Sequence, residues 1–257
     1  MPADLQLSLG TLCGFLLVLA RVSGSLVFVP LPGASTAPPV ARAVLGAGLT
    51  LALAARWPAV DASSITAARL AGWAMAEAAV GLAIGVCISV ILEAFTLAAQ
   101  ILGLQAGYAY ASTIDPNTQA DSGILLVFAQ LFAGLLFFAV GLDREVLRLF
   151  ARSLERIPPG AYVFGMPSAE SIIHLVSNLF SVALRLALPV VALLAMVDIA
   201  LALLSRVNAQ LQLLTLAFPA KMLLALLLLA WIAFLFPRLC REIGWRSLGA
   251  AQQALGL

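Results

Sequence analysis

Hydrophobic residues occur along this chain in long blocks, and polar residues, prolines and glycines are concentrated between the blocks. A helix needs about 20 apolar residues to cross a bilayer. The blocks predict six membrane helices, at residues 5–29, 40–55, 70–102, 123–140, 171–204 and 211–236. Strand-like alternation of apolar and polar residues is not seen. Since a helix satisfies its own backbone in lipid, the pattern predicts an all-α integral membrane protein with about six long helices.

Two of the predicted helices are longer than a membrane requires. The blocks at 70–102 and 171–204 each have more than 30 residues. At about 1.5 Å per residue, such a helix exceeds a hydrocarbon core of about 30 Å by half. We therefore expect these helices to tilt strongly or to lie outside an ordinary bilayer. Pro189 and Pro219, inside the fifth and sixth helices, predict kinks.

The segment 143–157 differs from the others, because apolar residues form one face of a helix and arginines recur every four residues on the other. We interpret it as an amphipathic helix that lies on anionic lipid headgroups. Docking on an acidic partner is the alternative interpretation. The tail at 237–257 is predicted to be a second, weaker interfacial segment. The basic stripe consists of Arg144, Arg148, Arg152 and Arg156.

Composition agrees with a membrane protein and disfavours several other classes. Of 257 residues, 63% are hydrophobic and 10% are charged, and the mean hydropathy is +1.09. Soluble domains carry about 25% charged residues. The net charge of +2 is too small and too scattered for a nucleic-acid surface. Because the chain has a single histidine, His174, and three widely separated cysteines, we expect no enzyme active site, cofactor, metal site or disulfide framework.

Six ionisable residues lie within the predicted helices, where each would cost about 2.5 to 3.5 kcal/mol if it faced lipid. They cannot pair within one helix, because the two in the third helix are both acidic and the two in the fifth are far apart. Their partners must lie on other helices or other subunits. Structural ion pairs are favoured over a proton or ion pathway, because the charges are dispersed. The six residues are Arg21, Glu77, Glu93, Arg185, Asp198 and Lys221.

Glycines four residues apart predict that helix backbones approach closely. Gly81 and Gly85 form one such pair, and similar pairs occur at residues 10 and 14 and at residues 103 and 107. We therefore expect a tightly packed helical assembly that depends on partner chains.

Several short motifs occur in an order that is specific to one family. They are Phe-Val-Pro-Leu-Pro-Gly at 28–33 with Pro-Val-Ala-Arg at 39–42, Glu-xxx-Gly-xxx-Gly at 77–85, Ile-Leu-Gly-Leu-Gln-Ala-Gly at 101–107 before Asp115-Pro116, and Ser205-Arg206 with Gln210 and Phe-Pro-Ala-Lys at 218–221. This order resembles the FliR/SctT family of type III secretion export-gate proteins. The chain departs from the family pattern at 209–212, where Ala-Gln-Leu-Gln replaces Pro-Gln-Leu-Asn.

The resemblance implies a non-enzymatic structural and gating subunit of a protein export channel in the bacterial inner membrane, within the flagellar basal body. Its partners would be FliP-like and FliQ-like subunits, an FlhB-like protein, membrane lipid and unfolded export substrates in transit. Residues 1–165 would resemble a FliP subunit, and residues 166–257 would resemble a FliQ hairpin with an amphipathic tail. An injectisome subunit of the same family is one alternative. A stand-alone secondary transporter is another, which would show inverted repeats.

The resemblance also implies a pore-closing plug in the loop that follows the third helix. The uncharged, small and aromatic residues at 107–113 suit a segment that fills a pore without gripping a particular sequence. The plug residues would be Gly103, Gln105, Gly107, Tyr108, Tyr110, Asp115 and Pro116. Polar contacts between subunits are expected at Glu77, Arg185, Asp198, Arg206, Gln210 and Lys221. Arg206, Gln210 and Lys221 are predicted to form the cytoplasm-facing end of the hairpin.

Overall fold

A computed structural model describes residues 9–28, 38–58, 60, 66–108, 124–162, 165–207 and 213–257 of the chain. The regular structure in these residues is helical throughout, which confirms the predicted all-α class. The helices are α1 (Leu9–Leu26), α2 (Pro39–Ala52), α3 (Ala67–Ala106), α4 (Ile124–Ala139), α5 (Leu142–Arg156), α6 (Met166–Val207), α7 (Leu213–Ile232) and α8 (Phe236–Leu255), with short 3-10 turns at Ala54–Arg56 and Ala233–Leu235.

Fewer helices are long enough to cross a membrane than the six that the sequence pattern predicts. In the described parts of the chain, four stretches qualify by length and composition: α1, α3, α6 and the stretch Pro219–Leu255. Helices α4 and α5 make a fifth if they are counted as one broken span. The long helices are confirmed, since α3 has 40 residues and α6 has 42. Each is about 60 Å long, twice the thickness of a hydrocarbon core.

The span predicted at 40–55 is wrong, because α2 has only 14 residues and is about 21 Å long. Pro39 stands at its first position, where a missing N–H costs nothing. At the other end, the Trp57 indole N–H donates to the Thr50 carbonyl at 2.9 Å. The Thr50 carbonyl also accepts from the Leu53 N–H at 3.2 Å, and the 3-10 turn Ala54–Arg56 follows in place of further α-helix.

Both internal prolines lie inside helices, Pro189 in α6 and Pro219 in α7, although neither can donate a backbone hydrogen bond. The predicted kinks stay a prediction. The interruption near the end of the chain is the 3-10 turn Ala233–Leu235, between α7 and α8. The tail predicted as an interfacial segment is the packed helix α8. The apolar side of α8 packs inside the protein, because Ile243, Leu248 and Ala251 are buried, and contact of this helix with the membrane surface stays a prediction.

The chain divides into two compact units whose segments alternate along the sequence. Unit 1 comprises Met1–Val90, Gly141–Leu175 and Ile243–Leu257, and unit 2 comprises Ile91–Val140 and Val176–Glu242. These boundaries reflect packing within the chain. The predicted division into 1–165 and 166–257 rests on likeness to two other subunits, so it stays a prediction.

Unit 1 is built around the contact of α1 with the first half of α3. The C-terminal part of α8 joins it through two hydroxyl groups, because Tyr162 and Ser168 both donate to the Ala254 carbonyl, at 3.3 and 2.6 Å. Gly244 also fits against the Leu142 side chain, which a Cβ at position 244 would overlap. These contacts bring α5 and the end of α8 together within the unit.

Unit 2 has a core made largely of alanines and aliphatic residues, which allows its helices to pack closely. Phe236 is in edge-to-face contact with Phe95 at 5.9 Å and with Phe132 at 5.6 Å between ring centroids. The second half of α3 is therefore enclosed by α4, α6, α7 and the start of α8. The buried core residues are Ala98, Ala99, Leu102, Ala106, Leu125, Ala183, Ala187, Val190, Leu194, Ala225 and Ile232.

Candidate functional site

A buried ion pair joins three helices of unit 1. Arg21 of α1 and Glu77 of α3 are 1% and 2% exposed. The Arg21 Nε donates to Glu77 Oε2 at 2.5 Å. The other guanidinium nitrogens donate to Ser153 Oγ at 3.0 Å and to the Ile157 carbonyl at 3.4 Å. We call these four residues the Arg21 network. It ties the C-terminal end of α5 to α1 and α3.

The Arg21 network is possible because α1 and α3 approach almost backbone to backbone. A Cβ added at Gly81 would overlap the Arg21 carbonyl oxygen, and one at Gly85 would come within 2.7 Å of the Ser25 carbonyl oxygen. Real Cβ atoms do not approach so closely, so both positions need glycine for space. The two glycines that the sequence analysis assigned to helix packing therefore lie on this contact.

A second set of polar residues joins three helices of unit 2. The Lys221 ammonium of α7 lies 2.7 Å from Asp198 Oδ1 of α6 and donates to Oδ2 at 3.0 Å. Gln105, in the last turn of α3, donates its amide to the same Oδ2 at 3.0 Å. The Lys221 side chain is 11% exposed and that of Asp198 is 43% exposed. We call these residues the Asp198 network.

The chain that leaves α3 is held to α7 by a further hydrogen bond. The Tyr108 hydroxyl donates to the Met222 carbonyl at 3.1 Å. Burial raises the pKa of the Tyr108 phenol above its ordinary value, so the hydroxyl keeps its proton near neutral pH. Gly107 has a φ of +87°, a conformation that glycine adopts without strain, and it turns the chain out of the helix. Tyr110, Asp115 and Pro116 of the predicted plug lie outside the described residues.

Three of the residues predicted to contact other subunits have partners within the chain. Glu77 pairs with Arg21, and Asp198 pairs with Lys221. The sequence left open whether other helices or other subunits neutralise these charges, and in the structure other helices of the same chain do so. A second subunit is therefore not required to neutralise them, and a role for them between subunits stays a prediction.

Two other predicted contact residues remain at the surface of the chain. Arg185 and Arg206 of α6 are exposed, and each pairs with no residue that the structure describes. Arg185 lies on the side of α6 opposite the buried Ala183 and Ala187. Gln210 lies outside the described residues. Gly103 is half-buried, and a Cβ there would meet open space, so this predicted site residue does not mark a close helix contact.

The amphipathic helix is confirmed as α5, but its apolar face is not free to enter a bilayer. Leu142, Val146, Leu149 and Phe150 are all buried within unit 1. This face therefore packs against the protein, and contact of the exposed arginines with anionic headgroups stays a prediction. The opposite face is exposed. Glu145 pairs with Arg148 on this face, and Glu155 pairs with Arg56 of the turn after α2. The exposed arginines are Arg144, Arg148, Arg152 and Arg156.

Sequence reasoning found the charges of both networks but not the full set of residues in them. It assigned no role to Ser153, and it placed Gln105 in the plug. Both are common polar residues in helices, and their sequence positions carry no sign of the charges that they reach across the fold. A usable signal was present for Arg21, which is the one basic residue in an otherwise apolar first helix.

Comparison of the sequence with known proteins identifies a family to which the chain is similar. Residues 12–244 match the model of the family "Bacterial export proteins, family 1". The chain is 26% identical to the flagellar biosynthetic protein FliR of Escherichia coli (strain K12) over 226 residues, which is 88% of this chain and 86% of that protein. It is 27% identical to FliR of Bacillus subtilis (strain 168) over 224 residues, with 84% of each chain covered. It is also 26% identical to FliR of Caulobacter vibrioides over 218 residues, which is 83% of this chain and 86% of that protein.

The family match covers nearly the whole described fold, from α1 to the first half of α8. It includes both polar networks and the four motifs in their order. The resemblance to the export-gate family is thereby confirmed, and the chain belongs to the bacterial export proteins, family 1.

Proposed function

We propose that this chain is a subunit of the flagellar type III export gate, a membrane channel through which unfolded proteins leave the cytoplasm. The observation that carries the proposal is the match to an export protein family over residues 12–244. Three relatives matched over more than four fifths of their length are named flagellar biosynthetic proteins. The two helices of about 60 Å support a place in an assembly thicker than one bilayer.

The proposed role is structural and not enzymatic. The polar side chains of both networks are engaged in bonds that connect helices, as in the pairs of Arg21 with Glu77 and Lys221 with Asp198. Residues used in this way fix the positions of helices and are not free for general acid or base chemistry. The energy for export would come from other components of the apparatus.

Partner subunits would be FliP-like and FliQ-like proteins, with an FlhB-like protein alongside. Arg185 and Arg206 support this proposal, because each is an exposed charge on the apolar helix α6 without a described partner. Leaving Arg185 in lipid would cost about 2.5 to 3.5 kcal/mol. We propose that Arg185, Arg206 and Gln210 make polar contacts with neighbouring subunits. Residues 1–165 would take a FliP-like place in the assembly, and residues 166–257 a FliQ-like place.

The plug is proposed to lie in the segment from Gly103 to Ser122, whose first residues form the last turn of α3. Its N-terminal end is held by Gln105, through Asp198, and by Tyr108, through the Met222 carbonyl. These two bonds would fix the base of the plug on the hairpin of α6 and α7. The uncharged residues at 107–113 would then close the pore and yield to a passing chain.

The proposed location is the bacterial inner membrane, within the flagellar basal body, with several helices crossing or lying above the bilayer. The four to five apolar stretches support a multi-pass membrane protein. A subunit of an injectisome is the alternative within the same family. The relatives named above favour the flagellar assignment, because each carries a flagellar name.

Deleting the gene for this chain from its host tests the proposed function. We expect filament protein to disappear from the culture medium and to reappear when the intact chain is supplied in trans. Normal export of filament protein without the chain would contradict the proposal. Loss of injected effector proteins with unchanged filament export would favour the injectisome alternative.

A further inference from the structure

Helix α3 is enclosed by its own chain around most of its circumference in unit 2. One narrow side stays open, and four residues at spacings of four, three and four lie on it. Glu93, Gln100 and Leu104 are exposed, and Leu97 between them is half-buried. We call these four residues the α3 stripe. The buried residues on the other sides are Ile91, Ala94, Phe95, Thr96, Ala98, Ala99, Leu102 and Ala106.

The carboxylate of Glu93 has a different setting from the other acidic groups in the apolar helices. Glu77 and Asp198 both pair with basic side chains of their own units. Glu93 is exposed on α3 and pairs with no residue among those that the structure describes. An ionised side chain that faces lipid near the bilayer centre costs about 2.5 to 3.5 kcal/mol. Glu93 therefore requires water or a cation from outside the chain.

The composition of the α3 stripe distinguishes among lipid, water and a helix of another chain as its neighbour. Lipid suits Leu97 and Leu104, and the Leu104 side chain is 71% exposed, but lipid offers no partner for Glu93 or Gln100. Water suits the two polar residues but leaves the two leucines exposed. A helix from another chain suits all four. Positions at alternating spacings of four and three form the seam on which a second helix packs. Within a membrane, polar side chains on such a seam hydrogen-bond to the neighbouring helix.

We infer that the α3 stripe is the docking seam for a helix of a partner subunit, and that this helix places a Lys or Arg against Glu93. The opposite charge follows from the unpaired carboxylate. Gln100, seven residues further along α3 and about 10 Å away, would bond to a polar group of the same helix. This inference goes beyond the proposed function because it assigns one surface and the chemistry of its partner, and it rests on that proposal for the existence of an assembly.

Photo-crosslinking in the isolated complex tests where the α3 stripe faces. A photoreactive phenylalanine derivative is introduced at Leu104, and separately at Leu135 of α4, which is also apolar and 64% exposed in unit 2. We expect the probe at Leu104 to attach to another protein chain. The Leu135 probe reports labelling at an exposed apolar position outside the stripe. Attachment of the Leu104 probe to lipid alone would overturn the inference.

Charge variants test the partner's chemistry. The variant Glu93→Lys would place two cations together, so we expect recovery of the complex to fall by about tenfold or more. A Lys→Glu or Arg→Glu change in the crosslinked partner helix should restore it. Full recovery with both Glu93→Lys and Glu93→Leu would overturn the inference, because neither lipid nor water at this position requires a cation. If the unmodified chain co-purifies with no partner subunit, the proposed function itself is wrong. The wild-type control shows this independently of the variants.

Discussion

The buried ion pair of unit 1 gives the sharpest prediction about stability. Replacing Glu77 by Leu removes the carboxylate that lies 2.5 Å from the Arg21 Nε and leaves a buried guanidinium with two weaker acceptors. Breaking a buried pair by removing one partner costs about 3 to 5 kcal/mol. Typical proteins have a total stability of about 5 to 15 kcal/mol. We therefore expect Glu77→Leu to lose a large part of the free energy of unfolding.

The same reasoning makes the double variant Arg21→Met/Glu77→Leu more stable than either single variant. Replacing a whole buried pair by apolar residues of similar volume is often neutral or stabilising. The acceptors that Arg21 leaves behind are partly satisfied without it. Ser153 Oγ still donates to the Phe150 carbonyl at 2.8 Å, and the bond to the Ile157 carbonyl was long at 3.4 Å. The double variant should lie within about 1 to 2 kcal/mol of the wild type.

Unfolding of the purified chain in mixed detergent micelles, followed by circular dichroism, measures these differences. The control is Arg56→Gln, which breaks the exposed pair of Arg56 with Glu155 and should change stability by less than about 1 kcal/mol. A Glu77→Leu variant as stable as this control would refute the reasoning. A double variant no more stable than Glu77→Leu would show that the unpaired charge of Arg21 is not the cause of the loss of stability in the single variant.

Four further predictions follow from other parts of the fold. Lys221→Leu removes the cation bound to Asp198, so native gels of the co-expressed complex should contain less assembled complex; unchanged co-purification of partners would contradict this. Gly81→Val should cost about 1 to 3 kcal/mol in the micelle assay, whereas Gly103→Ala, which meets open space, should not destabilise the chain. The variant Tyr108→Phe should lose about 1 kcal/mol of the free energy of unfolding at neutral pH. Because the pKa of this phenol is raised in the folded state, the difference in stability from wild type should persist below the unfolded pKa. It should vanish only as pH rises through the folded pKa. Deleting residues 108–113 should make membranes that contain the assembled complex leaky to small ions, and an unchanged conductance would place the plug elsewhere.

Much of the fold was predictable because it follows from local patterns. The period of apolar residues and arginines located α5 to within a residue or two. The unusual length of α3 and α6 followed from apolar blocks of more than 30 residues, which the structure extends to helices of 40 and 42 residues. The local pattern gave the wrong end for α2. The apolar block continues past Ala52, but the Trp57 indole and a 3-10 turn end the helix there.

The candidate site was less predictable because its contacts join residues far apart in sequence. The partner of Arg21 is 56 residues away, and Gln105 reaches Asp198 across 93 residues. The cost of burying a charge indicates that a partner exists but does not identify it. The sequence also did not show whether the apolar face of α5 packs in a protein core or on lipid, because both environments favour the same residues.

The mass and composition of the complex extracted in mild detergent determine whether this chain is one subunit of a heteromeric export gate. Native mass spectrometry of the affinity-tagged chain, expressed with the other membrane components of its host's export apparatus, should give a single species containing FliP-like and FliQ-like subunits. A stable monomer under the same conditions, with the other components recovered separately and fully assembled, would contradict the account.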